Sequence, residues 1–326
     1  MRVLVALGGN AMTGEDGTAS PEHQRAAVEV AVEGIADLVA DGHAVILTHG
    51  NGPQVGNLLL KNELAAAVVS PDPLDWCVAQ TQASIGMLIL DALDAALRVR
   101  GIDRRPAVVV TRTLVDRHDP DFANPTKPIG RYVSESEAAD AIAQGQTWQD
   151  RGRGWRRVVA SPEPLQILDA AAIGVLFEAG FIVVGSGGGG IPVVRAEDGV
   201  GLRGIEAVVD KDLAAALLAE AVGADVLVIA TDVENAMLRF GEPGATPIAR
   251  VDVTTMRGHA AAGMFGSGSM GPKVEAALRF VERGGQRAVI TSLKRIFDGA
   301  AGRVGTVVHA DELHKRVRAA QKGTTS

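Results

Sequence analysis

The sequence predicts an α/β sandwich built around a mainly parallel β-sheet. Short Val- and Ile-rich runs alternate with longer runs of helical period, and the short runs are apolar at nearly every position. Strands that are apolar throughout are typical of parallel sheets, which helices cover on both faces. Glycine clusters follow several of these runs, and ligands of such sheets gather beyond the carboxyl ends of the strands.

The individual elements follow from the two kinds of run: the short apolar runs predict strands, and the longer runs of helical period predict helices. Strands are predicted over residues 2–7, 44–48, 107–111, 181–185, 225–230, 287–291 and 306–309. Helices are predicted over residues 21–41, 54–67, 77–100, 164–179, 210–222 and 270–283.

One polar segment, residues 116–157, interrupts this alternation and is called the lid segment below. It contains a helix start at which Ser134 and Glu137 fit a capping box. Because the segment is rich in Pro, Gly, Asp and Arg, we expect few apolar anchors and easy opening. An inserted lid and a mobile surface insertion both fit this composition.

Composition restricts the class of protein. The 326 residues could form one large domain or two lobes, and no run approaches the roughly 20 apolar residues that span a bilayer. The start, "MRVLVALGGNAM", reads as a buried strand and its turn rather than as a signal peptide. Cys77 is the single cysteine, which suits a reducing cytoplasm, and the net charge of −7 argues against a general nucleic-acid binder.

Two glycine-rich turns satisfy G-x-G-x-x-G, at residues 185–190 and 266–271. The dinucleotide fingerprint needs a strand before it and a helix after it, and neither turn has both. "GSGSMGPKV" also fails as a Walker A loop, because Pro272 precedes Lys273 and Val274 replaces Ser or Thr. Each turn could be an ordinary tight turn. Free backbone N–H groups at a helix start can equally bind an anion.

Lysines and aspartates lie beside these turns. Lys273 lies in the first turn of a predicted helix, and Lys211 stands between Asp210 and Asp212 at another helix start. Asp232 ends a buried strand. A helix cap with exposed charges and an Asx turn are the structural alternatives. Since the sequence has no metal-ligand spacing and no G-x-S-x-G elbow, these residues suit phosphoryl transfer, which depends on positioning and charge neutralisation.

Nine stretches together resemble the carbamate kinases of the amino acid kinase family. They are "VALGGNAM", "THGNGPQVGNLLL", "PLDWCVAQTQASIG", "KPIGRY", "GRGWRRVVASPEP", "GSGGGGIPVV", "GIEAVVDKDLAAALLA", "ADVLVIATDV" and "GSMGPKVEAALRFVE". They occur in family order over nearly the whole chain. The resemblance implies a three-layer α/β/α sandwich, the amino acid kinase fold, with a carbamate or carbamoyl phosphate lobe over residues 1–205 and a nucleotide lobe over 206–326. It also implies a lid subdomain over 116–157 and a homodimer.

The resemblance further implies the site residues of a reversible transfer between ATP and carbamate. Lys211 and Lys273 would neutralise charge on the phosphoryl group, with Asp212 holding their ammonium groups. Lys127 would reach in from the lid segment. The acceptor side would comprise Gly8, Gly9, Asn10, Gly50, Asn51, Gly52, Gly187, Gly188 and Gly189. The nucleotide side would comprise Lys211, Thr231, Asp232, Met237, Gly268, Ser269, Met270 and Lys273. Mg²⁺ would bind with the phosphates of ATP or ADP rather than in a protein cage.

Two stretches depart from the family pattern. In "TDVENAM", Met237 stands in the place of a Tyr that would pack against the nucleotide base. "VAQTQAS" keeps Gln82 but differs at the other positions of residues 80–84, where a substrate-side wall or a dimer contact could change. A related acid or phosphate kinase and a catalytically silent nucleotide sensor therefore stay open as alternatives.

Overall fold

A computed structural model of the chain describes residues 1–9, 20–266 and 270–311. The strands within these ranges are β1 Arg2–Leu7, β2 Ala44–His49, β3 Pro106–Val108, β4 Arg112–Leu114, β5 Lys127–Val133, β6 Trp148–Asp150, β7 Trp155–Val159, β8 Gln166–Ile167, β9 Ile182–Val184, β10 Ile191–Arg195, β11 Leu202–Gly204, β12 Val226–Thr231, β13 Met237–Leu238, β14 Thr246–Pro247, β15 Arg250–Asp252, β16 Arg287–Ser292 and β17 Thr306–His309. The helices are α1 Pro21–Ala40, α2 Gly52–Ala65, α3 Leu74–Val99, α4 Glu135–Ala143, α5 Ala170–Glu178, α6 Lys211–Ala221, α7 Val253–Ala261, α8 Met270–Glu282 and α9 Ile296–Ala300.

Eight strands form the central sheet, in the order β15-β17-β16-β12-β1-β2-β9-β3. Every pair is parallel except β16 and β17, which run antiparallel. The predicted mainly parallel sheet is therefore confirmed. In this register Leu7 lies beside His49 and Ala230, so the loops after β1, β2 and β12 leave the sheet at one edge.

The three layers follow from the alternation of side chains along each strand. Leu4 and Ala6 of β1 pack into a buried cluster that includes residues of α6 and α8. Val3, Val5 and Leu7 of the same strand pack on the opposite face, in a cluster with α1, α3 and α9. A strand that buries both faces is apolar at most positions, which explains the Val-, Leu- and Ile-rich runs.

Three predicted elements differ from the structure by three residues or more at one end. The helix predicted over 77–100 begins earlier, at Leu74. The helix predicted over 164–179 begins only at Ala170, because Gln166 and Ile167 form β8 against β4. The strand predicted over 107–111 ends at Val108. The backbone of Thr111 instead binds the side chain of Gln82, and its carbonyl oxygen also accepts from the amide of Ile191 at the start of β10.

The lid segment has regular structure of its own. β5, β7 and β6 form a three-stranded antiparallel sheet, and the predicted capping box of Ser134 and Glu137 starts α4. The segment has few apolar anchors, as expected: within residues 116–157 only Ile129 and Ala138 are buried, and Ile129 packs at its base in a cluster with residues of α2 and α3. Gly56 of α2 also packs closely on this base.

Candidate active site

Two glycine loops meet at the carboxyl edge of the sheet. Gly8 and Gly9 follow β1, and Gly50 follows β2, the neighbouring strand. A methyl group built on Gly50 would lie 2.6 Å from the amide nitrogen of Gly9 and 3.0 Å from Cδ of Lys211. Only glycine allows this approach at position 50, so the two loops and the stem of Lys211 share one packed corner.

The third glycine loop lies between β9 and β10 and packs on the second. Gly188 has φ of 66°, and a methyl group on it would lie 2.1 Å from Nδ2 of Asn51. A methyl group on Gly187 would lie 2.4 Å from Nε2 of His49. The structure thus brings the predicted glycines 187 and 188 against the loop after β2. Residues 187–189 are all buried.

Helix α3 fixes both loops through two buried polar side chains. Nδ2 of Asn51 donates to Oγ1 of Thr81 at 2.8 Å. Nε2 of Gln82 donates to the carbonyl oxygens of Gly187 and Thr111 at 2.9 and 3.0 Å, and its Oε1 accepts from the Thr111 amide at 2.9 Å. A buried amide with both ends bonded holds the loop in one place.

Residues 80–84, where the sequence departs from the family pattern, lie on two faces of α3. Thr81 and Gln82 face inward, whereas Gln80, Ala83 and Ser84 are exposed. The site-facing positions therefore keep the hydrogen bonds described above. On the exposed face, Gln80 donates to the carboxylate of Asp72 and Ser84 to the carbonyl oxygen of Thr81. Thr81 is a site-supporting residue that the sequence did not single out.

One carboxylate holds two lysines at the same edge. Oδ1 of Asp212 lies 3.0 Å from Nζ of Lys211, and Oδ2 lies 3.1 Å from Nζ of Lys273. Lys211 also donates to the carbonyl oxygen of Leu7 at 3.3 Å, which places it at the end of β1. The side chain of Asp212 is 3% exposed. Three of the four predicted catalytic residues thus form one buried group.

Burial and charge act against each other in this group. Burial raises the pKa of Asp212, but the two ammonium groups outweigh it and hold that pKa below the ordinary value. Burial lowers the pKa of Lys211, and the positive charge of Lys273 lowers it further, although Asp212 opposes both. Asp212 is therefore ionised at neutral pH and stabilises two neighbouring cations.

The fourth predicted lysine approaches from the lid segment. Nζ of Lys127, at the start of β5, lies 2.8 Å from Oδ2 of Asp210. Oδ1 of Asp210 accepts from the amides of Asp212 and Leu213 at 2.9 and 3.3 Å and caps α6. The structural alternative of an N-cap is thus correct for Asp210, and the same residue also holds Lys127.

The residues predicted for the nucleotide side lie on several elements of the C-terminal half of the chain. Thr231 ends β12, and its hydroxyl donates to Oδ1 of the exposed Asp232 at 3.0 Å. Met237 is half-buried in β13, which pairs with β14 in a hairpin, and Met270 begins α8.

Gly52 is exposed at the first position of α2. Three predicted site residues, Asn10, Gly268 and Ser269, lie outside the described residues.

The described ranges contain neither a ready-made metal site nor a membrane-spanning helix. There, no three His, Cys, Asp or Glu side chains come together as ligands for a metal ion. No helix in those ranges combines the length and apolar character that crossing a bilayer requires.

The chain is similar to a known protein family and to several known proteins. The amino acid kinase family is matched over residues 1–292. The chain is 46% identical over 313 residues to a carbamate kinase of Thermococcus kodakarensis, covering 94% of this chain and 98% of that protein. It is 44% identical to a carbamate kinase-like protein of Escherichia coli, with coverage of 93% and 97%. A structure of carbamate kinase from Giardia lamblia bound to AMP-PNP superposes with a TM-score of 0.89 at 39% identity, covering 95% of this chain and 98% of that one.

Proposed function

Because this chain belongs to the amino acid kinase family, we propose that it is a carbamate kinase, which transfers a phosphoryl group reversibly between ATP and carbamate. The observation that carries the proposal is the group formed by Lys211, Asp212 and Lys273 where the glycine loops meet. Two ammonium groups held by one carboxylate leave a net positive charge at the edge of the sheet. That charge suits a phosphoryl group, whose oxygens gain negative charge during transfer.

The transfer requires no general base. In the forward direction, an oxygen of the carbamate anion attacks the γ-phosphorus of ATP. A new oxygen–phosphorus bond forms, and the bond to the β-phosphate oxygen breaks with its electron pair left on ADP. Carbamate is already an anion at neutral pH, so no proton has to leave. What the chain supplies is position and charge, through Lys211 and Lys273 and through the backbone amides of the glycine loops.

The two substrates divide between two lobes in this proposal. Residues 1–205 form the acceptor lobe, whose glycine loops after β1, β2 and β9 receive carbamate. Residues 206–326 form the nucleotide lobe, in which Thr231, Asp232 and Met237 border ATP or ADP. Met237 lacks a ring to stack on the base, so it packs there through its thioether.

Magnesium belongs to the nucleotide in this proposal. The ion would be held mainly by the nucleotide phosphates and would neutralise part of their charge, with few ligands from the protein. The chain's donor set fits this role, since Asp212 is already bonded to two lysines and leaves its oxygens no room for a metal.

Further features of the proposal come from the resemblance. We propose a homodimer, which light scattering of the purified protein tests. We also propose a cytoplasmic location and no nucleic-acid partner, in keeping with the net charge of −7 and the buried free thiol of Cys77.

The experiment is ATP formation from ADP, Mg²⁺ and carbamoyl phosphate by the purified protein. We expect ATP that depends on the protein and falls strongly in Asp212→Asn, which removes the charge shared by the two lysines. Acetyl phosphate run in parallel tests the related acid kinases of the same fold. Formation of ATP from acetyl phosphate alone, or from neither donor, would overturn the assignment.

A further inference from the structure

The lid segment and helix α6 are connected by one ion pair, between Lys127 and Asp210. The two residues are 83 positions apart in sequence, and their charged atoms lie 2.8 Å apart. The Asp210 side chain is 11% exposed and that of Lys127 is 38% exposed. An ion pair this open to water contributes little to stability, so its position is more informative than its energy.

The two oxygens of Asp210 have separate tasks. Oδ1 accepts from two backbone amides at the start of α6, which fixes the carboxylate relative to the helix. Oδ2 is then directed at the ammonium group of Lys127. Because the carboxylate cannot rotate without losing its cap, it is a rigid acceptor for a flexible side chain.

The neighbours of Asp210 determine where it holds that ammonium group. The next two residues are Lys211 and Asp212, which form the buried group with Lys273. Asp210 therefore ties the third lysine to the turn that carries the other two. Without this carboxylate, the lysine stem could place its charge anywhere over several ångströms of solvent.

We propose that Asp210 is a positioning residue, which holds the Lys127 ammonium group beside the transferring phosphoryl group. This inference rests on the proposed phosphoryl transfer, because it concerns how the third lysine reaches the reacting atoms. Asp210 touches neither substrate in this account. It acts through Lys127.

The test uses variants that remove the charge and keep the cap. Asn and Ser cap helices as well as Asp does, so Asp210→Asn and Asp210→Ser should fold with little change in melting temperature. We expect each to lower kcat for ATP formation from carbamoyl phosphate by about tenfold to a hundredfold, the scale set by small misplacements of a reacting group. KM for ADP should stay within about twofold in both, because the nucleotide contacts are unchanged.

A double-mutant cycle separates positioning from a structural role. Lys127→Ala should lower kcat strongly in the parent protein but only slightly in Asp210→Asn, because the lysine is already misplaced there. Arg157→Gln is the matched control, since it removes another ion pair of the lid segment, 3.6 Å from Arg157 to Glu206 in the loop that precedes α6. It should leave kcat unchanged.

Specific results would overturn the inference. One is a kcat within twofold of the parent in the folded Asp210 variants. Another is that Lys127→Ala lowers kcat by the same factor in the parent and in Asp210→Asn. A strong effect of Arg157→Gln on kcat would also overturn it, because any lid ion pair would then matter. If the parent protein itself forms no ATP, the proposed function fails, which is a different outcome.

Discussion

His49 gives the stability of this protein a pH dependence that the structure allows us to work out. The side chain is 1% exposed at the end of β2. Its Nδ1 lies 3.0 Å from the carbonyl oxygen of Gly50, an acceptor, so Nδ1 carries the proton of the neutral ring. Gly187 covers the Nε2 side. Burial is the main reason that the pKa of His49 falls from 6.5 to about 4.

The sign follows from comparing proton binding in the two states. Between pH 4 and 6.5 the unfolded chain binds a proton at this histidine and the folded chain does not. The free energy of unfolding therefore rises with pH across this window. The stability that the neutral His49 contributes is lost as the pH falls from 6.5 toward 4. From the two pKa values we calculate a loss of about 2 kcal/mol at pH 5, approaching about 3 kcal/mol below pH 4.

The assay is urea unfolding of the parent protein and of His49→Asn at pH 7.5 and pH 5.0. The asparagine amide can still donate to the Gly50 carbonyl, but it does not titrate. We expect the parent to lose about 2 kcal/mol more than the variant between these pH values. His118→Asn, at an exposed histidine, should behave as the parent does. Equal losses in parent and His49→Asn would refute the reasoning, whatever the stability of the variant at pH 7.5.

Two more predictions concern the site. Lys211→Ala and Lys273→Ala should each lower kcat by about a hundredfold or more while changing ADP affinity much less, because charge neutralisation matters most in the transition state. Calorimetry and the ATP assay measure the two effects, and turnover within twofold of the parent would show that the roles are wrong. Gly188→Ala should destabilise the fold by about 2 kcal/mol or more in thermal unfolding, because φ is 66° and the new methyl would overlap Asn51. Gly174→Ala, in a helix with open space around it, should not destabilise, and equal effects of the two changes would contradict the packing argument.

The sheet edge and its glycine loops could be predicted from the sequence because each signal is local. An apolar run followed by glycines identifies a strand and its loop, and parallel strands bring such loops to one edge. The buried group of Lys211, Asp212 and Lys273 was predicted through the resemblance, since 61 residues separate Asp212 from Lys273.

Other features depend on contacts between residues that are distant in sequence, so the local sequence could not predict them. Thr111 has strand-like neighbours, but its backbone binds the side chain of Gln82 of α3, which is 29 residues earlier, as well as the first residue of β10. Asp210 has the local pattern of a helix cap, and the pattern contains no sign of its partner 83 residues earlier. Ile129 of the lid segment lies in a polar stretch, so its burial against α2 was not expected.

The three consecutive residues at the start of α6 join three separate parts of the chain. Asp210 binds Lys127 of β5, Lys211 binds the carbonyl at the end of β1, and Asp212 binds a lysine of α8. A substitution here breaks one connection, whereas the insertion or deletion of one residue rotates all three side chains by about 100°. The starting point of helix α6 therefore cannot shift by one residue without breaking all three connections. In a library of single-residue deletions, this turn should be among the least tolerant positions of the chain.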